Sequence, residues 1–194
     1  AIAFAGYGME YCTRKLVREK LNEMRDHTDS YKNDSNEHYG GWDGWYILVC
    51  FNLSYVFISF LCGMIEPASI GSGLPEIRCF LNGINIPKFL RIKTFFAKAI
   101  GTIFAVSAGL PVGKQGPMVH LGAILGAGIS QGKSSTLGID TSWSKFQFLR
   151  NDKEKRDFVL IGAACGISAA FSAPLGGVMF ALEEGAYFWR DAIT

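Results

Sequence analysis

Three short stretches of this chain set glycine, a polar side chain and proline or acid at spacings that suit chemistry: Gly71-Ser72-Gly73-Leu74-Pro75-Glu76, Gly113-Lys114-Gln115-Gly116-Pro117 and Gly176-Gly177-Val178-Met179-Phe180-Ala181-Leu182-Glu183-Glu184. Neither of the first two is a nucleotide loop. Glu76 stands where a dinucleotide fingerprint needs its third glycine, and no strand precedes it. In the second, Gly109 lies only four residues before Gly113, and Gln115 stands where Ser or Thr would hold magnesium. The first also reads as a turn with Ser72 as N-cap, although the acid comes four residues on, not the three of a capping box. What they share is proline within the first turn of a short apolar helix, with glycine leaving the backbone N–H groups uncrowded. Such a helix start carries unsatisfied donors and a partial positive charge, which in hydrocarbon require a partner, and an anion is the natural one. Partial charges and a hydroxyl offer a moderate well, whereas full basic side chains would hold the anion too tightly to release it. A carboxylate, a phosphate or a lipid headgroup satisfies the same donors, so these residues specify an anion and no more. Glu183 and Glu184 close an apolar helix; they read either as a proton or cation path or as the helix reaching the aqueous interface near Arg190.

The elements that must position these residues are membrane helices. Trp45–Ile65 and Phe158–Leu182 contain no charge, although 13 of the charged residues crowd between Arg14 and Asp43. A 21-residue uncharged run spans about 30 Å as a helix, the thickness of a bilayer core. Ala1 to about Asn22 reads as the end of a spanning helix, 23–44 as an exposed polar loop ending at Gly40-Gly41, and 45–194 as the helices that carry the motifs. The loop holds a sequon at Asn33, usable only on a lumenal or external face; a second spelling at Asn52 is void through burial. Beyond Pro67 the apolar stretches shorten: Ile70–Asn82, Phe95–Val112 with Lys98 as its only charge, Gly116–Gln131, Phe158–Ala173 and Leu175–Phe188, the last two parted by Pro174. Half-length helices of this kind line a path for an ion or solute, or else form a crowded bundle without a pore. Gly122/Gly126 and Gly162/Gly166 offer flat faces for close helix contact. The connectors Pro87–Lys93 and Lys145–Arg156 are basic and are placed on the cytoplasmic side.

With 49% hydrophobic residues, 23 glycines and a net charge of +2, the chain is neither disordered nor a nucleic-acid binder. Five scattered cysteines without a C-x-x-C pair exclude a secreted disulfide scaffold and read as structural thiols. The chain starts at Ala1 without a leader and stops after an apolar segment, as a fragment would. His120 reads as a packed or hydrogen-bonded residue rather than a ligand, His27 and His38 are too far apart for a metal site, and no nucleophile sits beside a base, so no enzyme is expected.

In order and separation, the three stretches resemble those of the CLC family of chloride channels and chloride/proton exchangers, with its G-S-G-x-P loop, G-K-E-G-P loop and G-x-x-F-x-x-E-E helix end. The likeness runs from about Trp45 to Thr194. Gly126–Gln131, Glu154–Val159 and Glu183–Trp189 are most similar to the eukaryotic late-endosomal and lysosomal branch. The resemblance implies an all-α membrane protein, the first half of an inverted-repeat fold with tilted, short and re-entrant helices, working without a cofactor and with chloride as its substrate. It implies chloride-binding roles for Ser72 and Gly73 at the central site and for backbone N–H groups around Lys114, Gln115 and Gly116 at an outer site, and a proton-pathway role for Glu184. Gln115 occupies the position of the family's gating glutamate, whose carboxylate competes with chloride and relays protons. An amide cannot titrate, so the expectation is an anion conductance uncoupled from protons. The implied partners are the lipid bilayer, a second copy in the full-length protein and an accessory membrane subunit, with no nucleic acid; the implied location is an endosomal or lysosomal membrane. The competing reading is a truncated, non-conducting assembly or regulatory subunit.

Overall fold

The computed structural model describes residues 2–34, 41–84, 86–131 and 151–185, and every regular element among them is helical. In chain order these are α1 (Ile2–Asp34), α2 (Gly41–Ile65), a single 3₁₀ turn (Pro67–Ser69), α3 (Leu74–Leu81), α4 (Ile92–Ser107), α5 (Gln115–Gln131), α6 (Asp152–Phe171) and α7 (Pro174–Gly185).

The first helix corrects the expected boundary. It continues as one 33-residue element through most of the segment assigned to a polar loop, about 50 Å in length. No glycine or proline interrupts the chain between Gly8 and Asp34, and Glu10–Arg14 and Lys15–Glu19 pair at i,i+4 along its surface. Polarity was a sign of exposure here, not of a turn. Among the described charged residues of α1, Lys20 is the one that is buried; its Nζ donates to Asn52 Oδ1 at 2.9 Å and to the Ser107 carbonyl at 2.8 Å, tying α1 to α2 and to the end of α4.

Among the described residues, α2 is the helix with the length and apolar composition to cross a membrane, over Gly44–Ile65, matching the expected span. It shows large apolar side chains outward, among them Leu53, Phe57, Phe60 and Met64. The helices after it are short for identifiable reasons. Both α3 and α4 end in a glycine C-cap with paired 6→1 and 5→2 bonds: Ile84 N–H to Cys79 C=O with Gly83 N–H to Phe80 C=O, and Leu110 N–H to Ala105 C=O with Gly109 N–H to Val106 C=O. The second cap stops α4 at Ser107, five residues before the expected Val112. Ser172 at φ 54° and Pro174 part α6 from α7, as expected from the proline.

The core is the contact of α5 with α6, closed by Ile77, Phe80 and Leu81 of α3 and by Phe89. Gly122 and Gly126 on α5 face Gly162 and Gly166 on α6 so closely that a Cβ on Gly122 would run into the Gly162 carbonyl. The flat faces read from the two G-x-x-x-G pairs thus meet each other. The start of α6 meets the end of α3: Arg156 lies beside Gly83, and Lys155 sits over the Phe80 ring at 5.8 Å.

Candidate anion site

The first two motifs, which start 42 positions apart in the chain, meet. The turn before α3 and the start of α5 press together at Ser72 and Gly116, where a Cβ on Gly116 would lie 2.8 Å from Ser72 Cβ. Only glycine at 116 permits this approach. Together with the inner faces of α2 and α4 they line an open cavity of about 750 Å³, whose wall includes Gly71, Ser72, Gly113, Gly116, Ser59 and Lys98.

Each loop exposes backbone donors for the reason given by helix geometry. In α5 the hydrogen-bond ladder begins with Met118 N–H to Lys114 C=O at 3.1 Å, so the N–H groups of Gln115 and Gly116 precede it and Pro117 has none. In α3 it begins with Ile77 N–H to Gly73 C=O at 3.0 Å. Ser72 is not the N-cap; Gly73 holds that position at φ 84°, and Ser72 Oγ accepts only a long 3.4 Å contact from Leu74 N–H. The hydroxyl proton of Ser72 therefore remains available to an acceptor in the cavity. Gly73 is required twice over: its φ is in the left-handed region, and a Cβ there would lie 2.6 Å from the Cβ, Cγ and Nδ1 atoms of His120.

The other residues of the motifs point elsewhere. The Gln115 side chain folds back so that its Oε1 occupies the space beside Gly113. Lys114 turns to α1, where its Nζ lies 2.9 Å from Glu10 Oε2, with Arg14 on the other carboxylate oxygen. Glu10 thus binds the one full charge in the second motif through its side chain, and Lys114 offers the cavity no ammonium. Glu184 lies in the last turn of α7, about 15 Å along the helix axis from Pro174; its side chain falls outside the described residues. Arg190, the partner considered for it, also lies outside them.

Two residues near the cavity had no role in the sequence reading. Lys98, noted there only as the single charge of Phe95–Val112, lines the cavity at 2% exposure. The cavity wall thus includes a lysine besides the backbone donors read from the sequence. His120, expected to be packed, is fully buried; its ring stacks on Phe89 at 4.2 Å and contacts Lys98. A single lysine in an otherwise uncharged stretch was the signal that marked the first of them. Among the described residues no three His, Cys, Asp or Glu side chains gather as a metal site, and all five cysteines are free.

Comparison with known proteins places these motifs in context. Residues 54–193 match the family described as voltage gated chloride channel. The chain is 45% identical over 189 residues to the H(+)/Cl(-) exchange transporter 7 of Bos taurus, covering 96% of this chain and 23% of that protein. It is 52% identical over 144 residues to the human protein of the same name, covering 74% of this chain and 18% of the relative. Chloride channel protein CLC-c of Arabidopsis thaliana is 48% identical over 133 residues, or 69% of this chain and 17% of that one. The chain spans less than a quarter of the length of each of these relatives.

Proposed function

Because the chain belongs to the voltage-gated chloride channel family, we propose that it forms part of a chloride path through a membrane in the full-length protein that carries it. The observation that supports this reading most directly is the convergence of the Ser72 turn and the start of α5 on one cavity wall. Chloride is small and weakly basic, and a hydroxyl with a few oriented N–H groups holds such an ion without trapping it. In this reading Ser72 contributes its hydroxyl, Gly73 sets the turn, and the N–H groups of Gln115 and Gly116 hold the outer position, with Lys114 contributing backbone only.

Gln115 supplies the finer part of the proposal. A carboxylate at this position would compete with an anion for the N–H donors and carry protons; the amide keeps the shape and loses both abilities. Transport is accordingly uncoupled from protons, although Glu184 remains in place for an internal proton path. Exposed apolar side chains on α2 leave a face for lipid or for a second copy, and the resemblance of Glu154–Val159 and Glu183–Trp189 to the intracellular branch supports an endosomal or lysosomal membrane.

The test is chloride efflux from liposomes containing the full-length protein. Ser72→Ala removes only a hydroxyl that has no structural bond shorter than 3.4 Å, so folding should persist while chloride flux or anion selectivity changes. Native flux and selectivity in the alanine variant would refute the assignment of Ser72. A full-length protein that moves no chloride, yet co-purifies with a conducting relative, would favour the assembly-subunit reading instead.

A further inference from the structure

The connector 108–114 leads from the end of α4 to the donors at Gln115 and Gly116, and little within it fixes its course. Gly109 and Gly113 flank Pro111 and Val112, so a short stiff piece sits between two permissive joints. Leu110 and Val112 are exposed, and among the described residues the backbone bonds of the connector are local, such as Leu110 N–H to Ala105 C=O and Val112 N–H to Leu110 C=O. Both of its ends are nevertheless held, and by one helix. At the near end Lys20 Nζ donates to the Ser107 carbonyl at 2.8 Å and to Asn52 Oδ1 at 2.9 Å. At the far end Lys114 Nζ lies 2.9 Å from Glu10 Oε2. Glu10 and Lys20 stand about 15 Å apart along α1. The hold at the near end is specific. The glycine C-cap of α4 uses the carbonyls of Ala105 and Val106, and that of Ser107 is the next in line. A cation there completes the cap and meets the negative end of the helix dipole. Lys20 and Ser107 are 7% and 0% exposed, and burial keeps water from taking the place of the bond.

We propose that Lys20 is a positioning residue for the outer anion donors: with Glu10 it makes α1 a brace across the connector, and the brace sets where the N–H groups of Gln115 and Gly116 stand. The inference rests on the anion-path reading above. The link from brace to donors is short. Gln115 folds its Oε1 back beside Gly113, so the donor residues and the last joint of the connector move together. Lys20 does not line the cavity, and it acts on the anion through the chain, not through its charge. A hydrogen bond weakens steeply as its angle opens, so a connector released at the Ser107 end leaves the donors present but poorly aimed.

Two variants that change the net charge equally separate charge from position. Lys20→Met deletes the ammonium and frees the Ser107 carbonyl; Asn52→Asp adds a carboxylate beside the ammonium and keeps the hold. The full-length protein is reconstituted in liposomes, and the half-saturating chloride concentration and the maximal flux are read separately, with calorimetric titration of sodium chloride as the binding measure. Lys20→Met raises the half-saturating concentration severalfold, whereas Asn52→Asp and the conservative Lys20→Arg stay within twofold of native. A merely structural role for Lys20 would lower the maximal flux, through fewer folded molecules, and leave half-saturation in place; that pattern overturns the proposal. Equal shifts in Lys20→Met and Asn52→Asp would assign the effect to charge and overturn it too. Should Lys20→Met not fold, Lys20→Gln, which stays polar but is one bond shorter and falls short of bridging both acceptors, takes its place in the same comparison. Absence of both flux and binding in the native protein would overturn the anion-path reading as well; dependence on Ser72 with native half-saturation in Lys20→Met would overturn this inference only.

Discussion

Gly73 shows how much a single missing side chain can hold in place. Its φ of 84° costs any other L-residue about 1–2 kcal/mol, and the position its Cβ would take is filled by the His120 ring. Forcing atoms into a filled core adds about 1–3 kcal/mol. Gly73→Ala is therefore expected to destabilise the protein by about 2–5 kcal/mol, read as a lowered midpoint in thermal unfolding of the solubilised full-length protein; an unchanged midpoint would mean the turn does not rest on His120. Glu10 is a second residue with a local, separable task. It binds Lys114 at 2.9 Å on the protein surface. Exposed pairs of this kind add little to stability, so Glu10→Gln should leave the unfolding midpoint where it is and instead release a positive charge beside Gln115. The expected readout is a shift of chloride affinity that shrinks as ionic strength rises, since an exposed charge is screened by salt.

At the scale of the elements, α5 decides where both motif loops sit, because it carries one loop at its start and, in His120, the residue against which Gly73 of the other packs; α6 holds α5 in place. Gly162 faces the Gly122 backbone, and backbone, unlike a flexible side chain, cannot yield. Gly162→Ala must push the helices apart and should cost about 3 kcal/mol, the upper end for overpacking. Gly128, on the same helix α5, has no atom within 4 Å of its notional Cβ. There, alanine gains helix propensity, and Gly128→Ala should stabilise by about 1 kcal/mol. Opposite shifts in the unfolding midpoints of these two variants test the interface; equal shifts would remove it. The length of α1 belongs to this scale too. Its charged face was read as a loop because polarity and exposure look alike in a sequence, and the i,i+4 pairing that keeps it helical becomes decisive only in the absence of glycine and proline.

For the molecule as a whole, Gln115 governs which transport mode is expected. Restoring the carboxylate with Gln115→Glu in the full-length protein should introduce chloride-driven proton flux that the native protein lacks, measured with a pH-sensitive dye inside liposomes. Strong coupling already present with glutamine would refute the uncoupled reading. The chain spans less than a quarter of its relatives' length, and the cavity wall described comes from the α2, α3, α4 and α5 region. In the proposed reading, the donors at 72, 115 and 116 are one contribution to a site in the full-length protein.

What could be read directly from residue order was whatever depends on neighbours in the chain: the uncharged span of α2, the breaks at Pro174 and the glycine loops, the two small-residue faces, and the helix starts that favour an anion. Those are consequences of local sterics and of solvent, and they hold wherever the segments lie. Contacts between distant segments came only with the folded chain. Ser72 against Gly116, Glu10 on Lys114, Lys20 on Ser107 and Lys98 on His120 join residues 22 to 104 positions apart, and nothing in their spacing announces the pairing. The balance of charge at the cavity was for that reason misjudged in sequence, where a lysine is a full charge and a motif is a list of donors. Packing redistributed both, taking Lys114 out to a surface carboxylate and bringing Lys98 in to a neutral imidazole.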